Sequence, residues 1–264
     1  MHNSPAMSEM PSTRLFLGPA DPAPVEWVNG ESASPLFLVC EHAGQAIPAA
    51  LGGLGLPPGA VDRHIGWDIG AEALARALAA RLDAPLVLQR YSRLVIDCNR
   101  PPEHPSAMPA ESDGQVIPGN AALDDAQRQA RIESIFAPFD AALTEGLARM
   151  PRKLALSIHS FTPALADGIA RPWQAGFLAR KDIPTAQHLI RHIGQTDPGL
   201  TLALNQPYRI EDDTDWFIPR HAEAAGLRHT LIEIRNDQLL QTAGVDRWAD
   251  LLAGAIRSLL EEIG

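Results

Sequence analysis

Short apolar runs alternate along this chain with stretches in which apolar residues recur every three or four positions. Runs at 36–40, 86–88, 94–96, 154–158, 175–178, 200–204 and 229–234 read as strands, several of them apolar enough to be buried on both faces. Spaced apolar residues predict helices over 69–82, 123–149, 185–193, 216–225 and 245–263, with a kink at Pro138 in the second. Strands alternating with helices imply an α/β fold, a mostly parallel or mixed central sheet with helices on both faces. Residues 1–34 are rich in Pro, Ser, Ala and Glu and read as a flexible lead-in, with a short strand at 14–17; residues 35–264 read as a single domain. Residues 101–120 lack periodicity and predict a long irregular loop, a frequent seat of function.

Four of the strands terminate in polar clusters: Glu41-His42, Asp97-Asn99-Arg100, His159-Ser160 and Glu233-Arg235. Pro101-Pro102 ends ladder pairing after the second of these, so Asn99 and Arg100 are expected at the tip of a rigid element. In open α/β sheets ligands bind outside the carboxyl ends of the strands. Parallel neighbours would bring these clusters to one rim.

Composition narrows the chemistry. Of 264 residues 45% are hydrophobic, enough for a substantial core, and the net charge of −10 argues against a nucleic-acid or anionic-membrane partner. A local basic pocket for a small acidic metabolite is compatible with that charge. The two cysteines, Cys40 and Cys98, cannot form a disulfide framework and are expected reduced and buried, in the cytoplasm. The first residues lack a secretory signal's apolar middle, and no stretch is long and apolar enough to span a bilayer.

His42 and His159, on separate strands, with one carboxylate form a ligand set suited to catalytic zinc with an open position. The carboxylate is Asp68, which heads a helix, or Glu41; His64 is a further candidate ligand. Glu41 neighbours His42 and would point to the opposite strand face unless the backbone has already turned. Glu233, ending an apolar strand, suits a general base; the structural alternative is an ion pair with Arg235 or Arg209. Arg100 with Asn99, and Arg93, Arg171 or Arg235, can hold carboxylates.

Taken together, Cys40 to Gly44, Asp68, Ser92 to Pro102, His159-Ser160 and Leu231 to Arg235 resemble the N-formylglutamate amidohydrolase family over most of the chain. The run Ser-Arg-Leu-Val-Ile-Asp-Cys-Asn-Arg-Pro-Pro is the most specific part. The resemblance implies the α/β fold of zinc carboxypeptidases and aspartoacylase, and one bound Zn2+. It implies hydrolysis of a formyl or other small acyl group from an acidic N-acyl amino acid such as N-formylglutamate. His42 and His159 match the zinc histidines, Asn99-Arg100 the carboxylate clamp, and Glu233 the base; Arg93 is the second candidate catalytic residue. Carboxypeptidase-like proteins carry a ligating Glu three residues after the first His, where this chain has Gln45, which favours Asp68. Better-known deformylases of the family have Pro-His-Ser-Gly or Pro-His-Thr-Gly where this chain has Glu41-His42-Ala43-Gly44, and Asp before the mid-chain His where this chain has Ile158, preceded by Ser157. The chain thus resembles a divergent branch. The alternatives are an amidase for another N-acyl amino acid or small peptide, and a non-catalytic binding protein for an acidic metabolite.

Overall fold

A computed structural model describes residues 16–165 and 168–264. In chain order the elements are β1 (Val25–Val28), β2 (Leu36–Cys40), α1 (Ala71–Leu82), β3 (Leu86–Gln89), β4 (Glu111–Ser112), β5 (Gln115–Val116), α2 (Asp125–Arg131), α3 (Ala137–Ala148), β6 (Leu154–Phe161), β7 (Ala175–Leu178), α4 (Ile183–Thr196), β8 (Leu202–Leu204), β9 (Arg228–Arg235) and α5 (Thr242–Ile263). Seven strands form one mixed sheet in the order β1-β3-β2-β6-β9-β7-β8. The first pair and the β9–β7 pair are antiparallel; the rest are parallel. β4 and β5 make a separate hairpin inside the long loop.

The strand sequences explain the layers. Along β2, Leu36, Leu38 and Cys40 face one cluster and Phe37 and Val39 the other, as side chains alternate across a sheet. The first cluster takes Leu74 and Leu78 of α1, Leu189 and Ile193 of α4, and Trp248, Leu252, Ile256 and Leu259 of α5. The second takes Phe139 and Leu143 of α3. Apolar strands buried on both faces are what a helix-covered parallel sheet requires.

Three expectations change. The run Leu94-Val95-Ile96 is buried but forms turns rather than a strand. Its carbonyls are taken up by side chains instead of a ladder. Asn120 Nδ2 donates to Leu94 O (2.8 Å) and Arg131 Nη1 to Val95 O (2.8 Å). Residues 25–28, read as part of a lead-in, supply edge strand β1, whose Val-Glu-Trp-Val alternates along β3. Residues 1–15 of that lead-in, and with them half of the strand expected at 14–17, lie outside the described residues; Phe16 and Leu17 form a bend. The helix expected over 123–149 is two helices joined by a wide turn at Ile132–Phe136. Pro138 has no N–H for the carbonyl of Ser134, so the ladder must widen ahead of it.

β3, β2, β6 and β9 run side by side in one direction, so their carboxyl ends share a rim. From β2 the chain passes through α1 to β3 on one side, and later reaches β6 on the other. The order therefore reverses between β2 and β6, which opens a crevice there. Among the described residues no helix is long and apolar enough to cross a membrane.

Candidate active site

His42 follows β2, and His159 lies on β6, on either side of this crevice. Register sets Glu233 of β9 directly beside His159. The chain turns sharply after His42 because Gly44 packs on the next strand connection: a Cβ there would sit 1.9 Å from Arg90 O. Asp68 comes from the loop before α1. It does not cap that helix; Gly70 occupies the cap at φ +84°, packed against Leu239. The carboxylate is thereby available to the histidines.

His159 Nδ1 lies 2.8 Å and His42 Nδ1 3.4 Å from Asp68 Oδ2, and one donor atom from each of the three side chains falls within 4.8 Å of the others. All three residues are buried. Each imidazole turns its other nitrogen to a further carboxylate. His42 Nε2 lies 2.7 Å from Asp97 Oδ1, and His159 Nε2 3.1 Å from Glu41 Oε2. Glu41 also accepts from Ser157 Oγ (2.7 Å).

Charge is tightly balanced. Burial alone would lower the pKa of His159, but Glu41 and Asp68 outweigh it and raise it well above the usual histidine value. Burial would raise Asp68, yet His42 and His159 hold it well below the carboxylate range. Asp97 is likewise held low against burial, by Arg93 and His42. Arg93 Nη2 donates to Asp97 Oδ2 (2.7 Å) and Nη1 to Asp68 Oδ1 (3.4 Å). Two imidazoles and one carboxylate converging, with carboxylates behind the imidazoles, form a donor set that fits a divalent metal; such outer carboxylates fix ring orientation and raise ligand basicity.

Glu233 differs from these acids. Burial pushes its carboxyl up to about 8, and Asp68 adds to that against the opposing pull of His159. Among the described residues its Oε2 has no hydrogen-bond partner. The ion pair weighed for it is not formed with Arg235, which binds Asp237 through two contacts of 2.8 and 3.1 Å.

A cavity of about 510 Å³ brings together His42, Asp68, His159 and Glu233 with Arg93, Asn99 and Arg100. Trp216 and Phe217 N–H groups both donate to Asn99 Oδ1 (3.2 Å each), which leaves its amide NH2 for a ligand. Arg100 Nη1 donates to Thr214 O (2.5 Å). Two arginines expected here stand apart. Arg235 is tied to Asp237 and to Arg171 O, and Arg171 donates to Tyr208 OH (3.0 Å) from beneath its ring. Neither lines the cavity. β9 directs Arg235 past the rim, and Arg171 supports Tyr208 instead of reaching the crevice. Glu41 sits behind His159, and His64 Nε2 stands 3.9 Å from Asp68, outside the three-donor cluster.

Tyr208 and His104 also line the cavity and escaped the sequence reading, and Arg209, weighed there only as an ion-pair partner of Glu233, lines it too. They sit on aperiodic loops, where only the length of segment 101–120 signalled function.

The N-formylglutamate amidohydrolase family model matches residues 34–240. None of the functionally curated proteins matches the sequence. The crystal structure of gene product Atu2144 from Agrobacterium tumefaciens is 38% identical, with a TM-score of 0.88, over 94% of this chain and 99% of that one. N-formylglutamate amidohydrolase from Ralstonia eutropha JMP134 is 22% identical with a TM-score of 0.65, over 91% of this chain and 98% of that one, and shares the fold. Matched across most of its length, the chain belongs to the N-formylglutamate amidohydrolase family and is a hydrolase of an amide bond.

Proposed function

We propose that the chain hydrolyses an acidic N-acyl amino acid, the class that includes N-formylglutamate, using one zinc ion held by His42, Asp68 and His159. The observation that carries this reading is the convergence of those three donors, with Asp97 and Glu41 backing the two imidazoles. A divalent metal bound there supplies Lewis acidity to the scissile carbonyl and acidifies water.

The chain's own groups do the rest. Glu233 takes a proton from the attacking water and returns it to the departing amine nitrogen. Burial raises the Glu233 carboxyl, which strengthens its hold on a proton once taken; the base form is the carboxylate, which a cation bound beside it would favour. Arg93 is kept charged against burial by Asp97 and Asp68, and lines the cavity beside them. It is suited to stabilise negative charge developing on the carbonyl oxygen. Arg100 and the Asn99 amide hold the carboxylate of the amino acid, with Arg209 on the same wall. The two buried free cysteines support a reducing, cytoplasmic setting.

Metal analysis of the purified protein and formate release from N-formyl-L-glutamate test this. The expected result is one zinc per chain and turnover that chelation abolishes and zinc restores. Protein that binds no divalent metal, or that hydrolyses the substrate equally well after chelation, overturns the reading.

A further inference from the structure

Beside the catalytic cavity lies a second one of about 720 Å³, and the two share His64, Arg93, Arg100, Ser106 and Tyr208 as common wall. Most of the residues that line the second cavity alone are polar or charged, Arg63, Glu111, Thr162 and Asn236 among them; Ile65 and Leu94 are apolar. Asn236 immediately follows β9, is only 7% exposed, and among the described residues its side-chain amide makes no hydrogen bond. We infer that this second cavity receives the acyl half of the substrate, and that this half is a short peptide, so that the scissile bond joins a peptidyl group to an acidic amino acid. The inference rests on the amidohydrolase reading above and names the half of the substrate which that reading leaves open.

Asn236 sets the chemistry. A carboxamide offers an N–H donor and a carbonyl acceptor together, the complement of a peptide group's own C=O and N–H. Buried polar groups are nearly always hydrogen-bonded, so an amide buried on a cavity wall takes its partner from what enters the cavity. A hydrocarbon chain would leave it unpaired. Arg63 and Glu111 are exposed on the same wall and bring one charge of each sign, and neither forms an ion pair among the described residues. Glu111 suits the terminal ammonium of a peptide and Arg63 a side-chain carboxylate. Ile65 and Leu94 suit the carbon atoms between the peptide groups.

Position assigns the halves. Asn99 and Arg209 line only the catalytic cavity, so the carboxylates of the acidic amino acid belong there. Size agrees: a formyl group adds one carbon and one oxygen to the amino acid, whereas clefts of roughly 300–1,000 Å³ take drug-sized ligands. The reaction is ordinary hydrolysis: water adds its oxygen to the acyl carbon, the C–N bond breaks, and the nitrogen takes a proton. The products are a peptide shortened at its carboxyl end and the free amino acid.

The experiment compares N-formyl-, glycyl-, diglycyl- and N-hexanoyl-L-glutamate as substrates of the zinc-loaded protein. The diglycyl and hexanoyl groups have chains of equal length, and only the first carries a peptide group and an ammonium. The expected result is a kcat/KM for diglycyl-L-glutamate at least about tenfold above that for N-hexanoyl-L-glutamate, as two hydrogen-bonding groups find partners. The same order of affinities is expected by calorimetry with E233Q, which separates binding from turnover. In N236L the diglycyl-to-hexanoyl ratio should fall at least about fivefold, the worth of one hydrogen bond. The pair of equal length is read on the unaltered protein, so it decides even where N236L fails to fold. If N-formyl- or N-hexanoyl-L-glutamate is hydrolysed better than the peptides, or if folded N236L keeps the ratio, the peptidyl assignment is overturned and the amidohydrolase reading stands. If no member of the series is hydrolysed, both fail.

Discussion

Asp97 shows how a residue's neighbours decide its role. In the sequence it is one acid in a polar cluster. In the fold it accepts from His42 on one oxygen and from Arg93 on the other, so it orients an imidazole and fixes a guanidinium together. Asn at this position keeps the shape and removes the charge. D97N should therefore weaken zinc affinity by about 10–100-fold, read by competition with a chromophoric chelator. Unchanged affinity would mean that His42 is oriented by other contacts. Glu233 carries the opposite prediction. It lies outside the three-donor cluster, and among the described residues its buried Oε2 is unpartnered. E233Q should retain zinc and substrate affinity and lose about 10²–10⁴ in kcat. Loss of zinc from E233Q would make it a ligand instead of a base.

The turn carrying Asp97, Asn99 and Arg100 depends on a buried cation. Arg131 is 1% exposed, and its guanidinium bonds Val95 O, Gly119 O and Asn120 Oδ1, with no carboxylate among them. Burial lowers its pKa to about 10, which still leaves it charged at neutral pH. R131M keeps much of the volume and leaves those acceptors unsatisfied. It should cost about 2–4 kcal/mol in urea unfolding, and a loss under about 0.5 kcal/mol would show that the turn holds itself. This is also where the sequence misled. Apolar, β-branched Leu94-Val95-Ile96 meets every local criterion for a buried strand, and only Asn120 and Arg131, more than twenty residues away, make another conformation possible. β2, β6, β9 and α5 were legible because their patterns are long and their burial follows period. β1 was hidden by the Pro- and Ser-rich composition around it, although Val-Glu-Trp-Val itself alternates. The backing carboxylates Glu41 and Asp97 were visible as residues, but their partners depend on the turns that follow β2 and Leu94 and on how those segments pack, which one sequence does not display.

Across the whole molecule, the parallel core of the sheet makes scattered residues into a site. His42, His159 and Glu233 are far apart in the chain, and three adjacent parallel strands deliver them to one rim at the order reversal. The expectation of convergence needed only the strand-end clusters; the fate of Arg171 and Arg235 needed the loops, whose paths follow from no periodicity. The far half of the sheet is tied by a second charged cluster. Glu223 receives a forked pair of bonds from Arg180, just beyond β7 (3.1 and 2.6 Å), lies 2.9 Å from Lys181, and stands 3.6 Å from His229 on β9. Burial would raise its carboxyl, but Arg180 and Lys181 bring it down to about 2. Its folded pKa thus lies below the unfolded value of about 4.3. A depressed carboxylate contributes stability that is complete above the unfolded pKa and is lost as pH falls through the folded one. E223Q should therefore be less stable than the parent at pH 7, by about 1–2 kcal/mol because both cations reach water. That gap should close between roughly pH 4.5 and pH 2. Other carboxylates titrate in both proteins and cancel in the difference, so urea unfolding of the pair at pH 7, 4.5, 3 and 2.5 isolates Glu223. A gap that stays constant with pH would assign its effect to packing and not to charge.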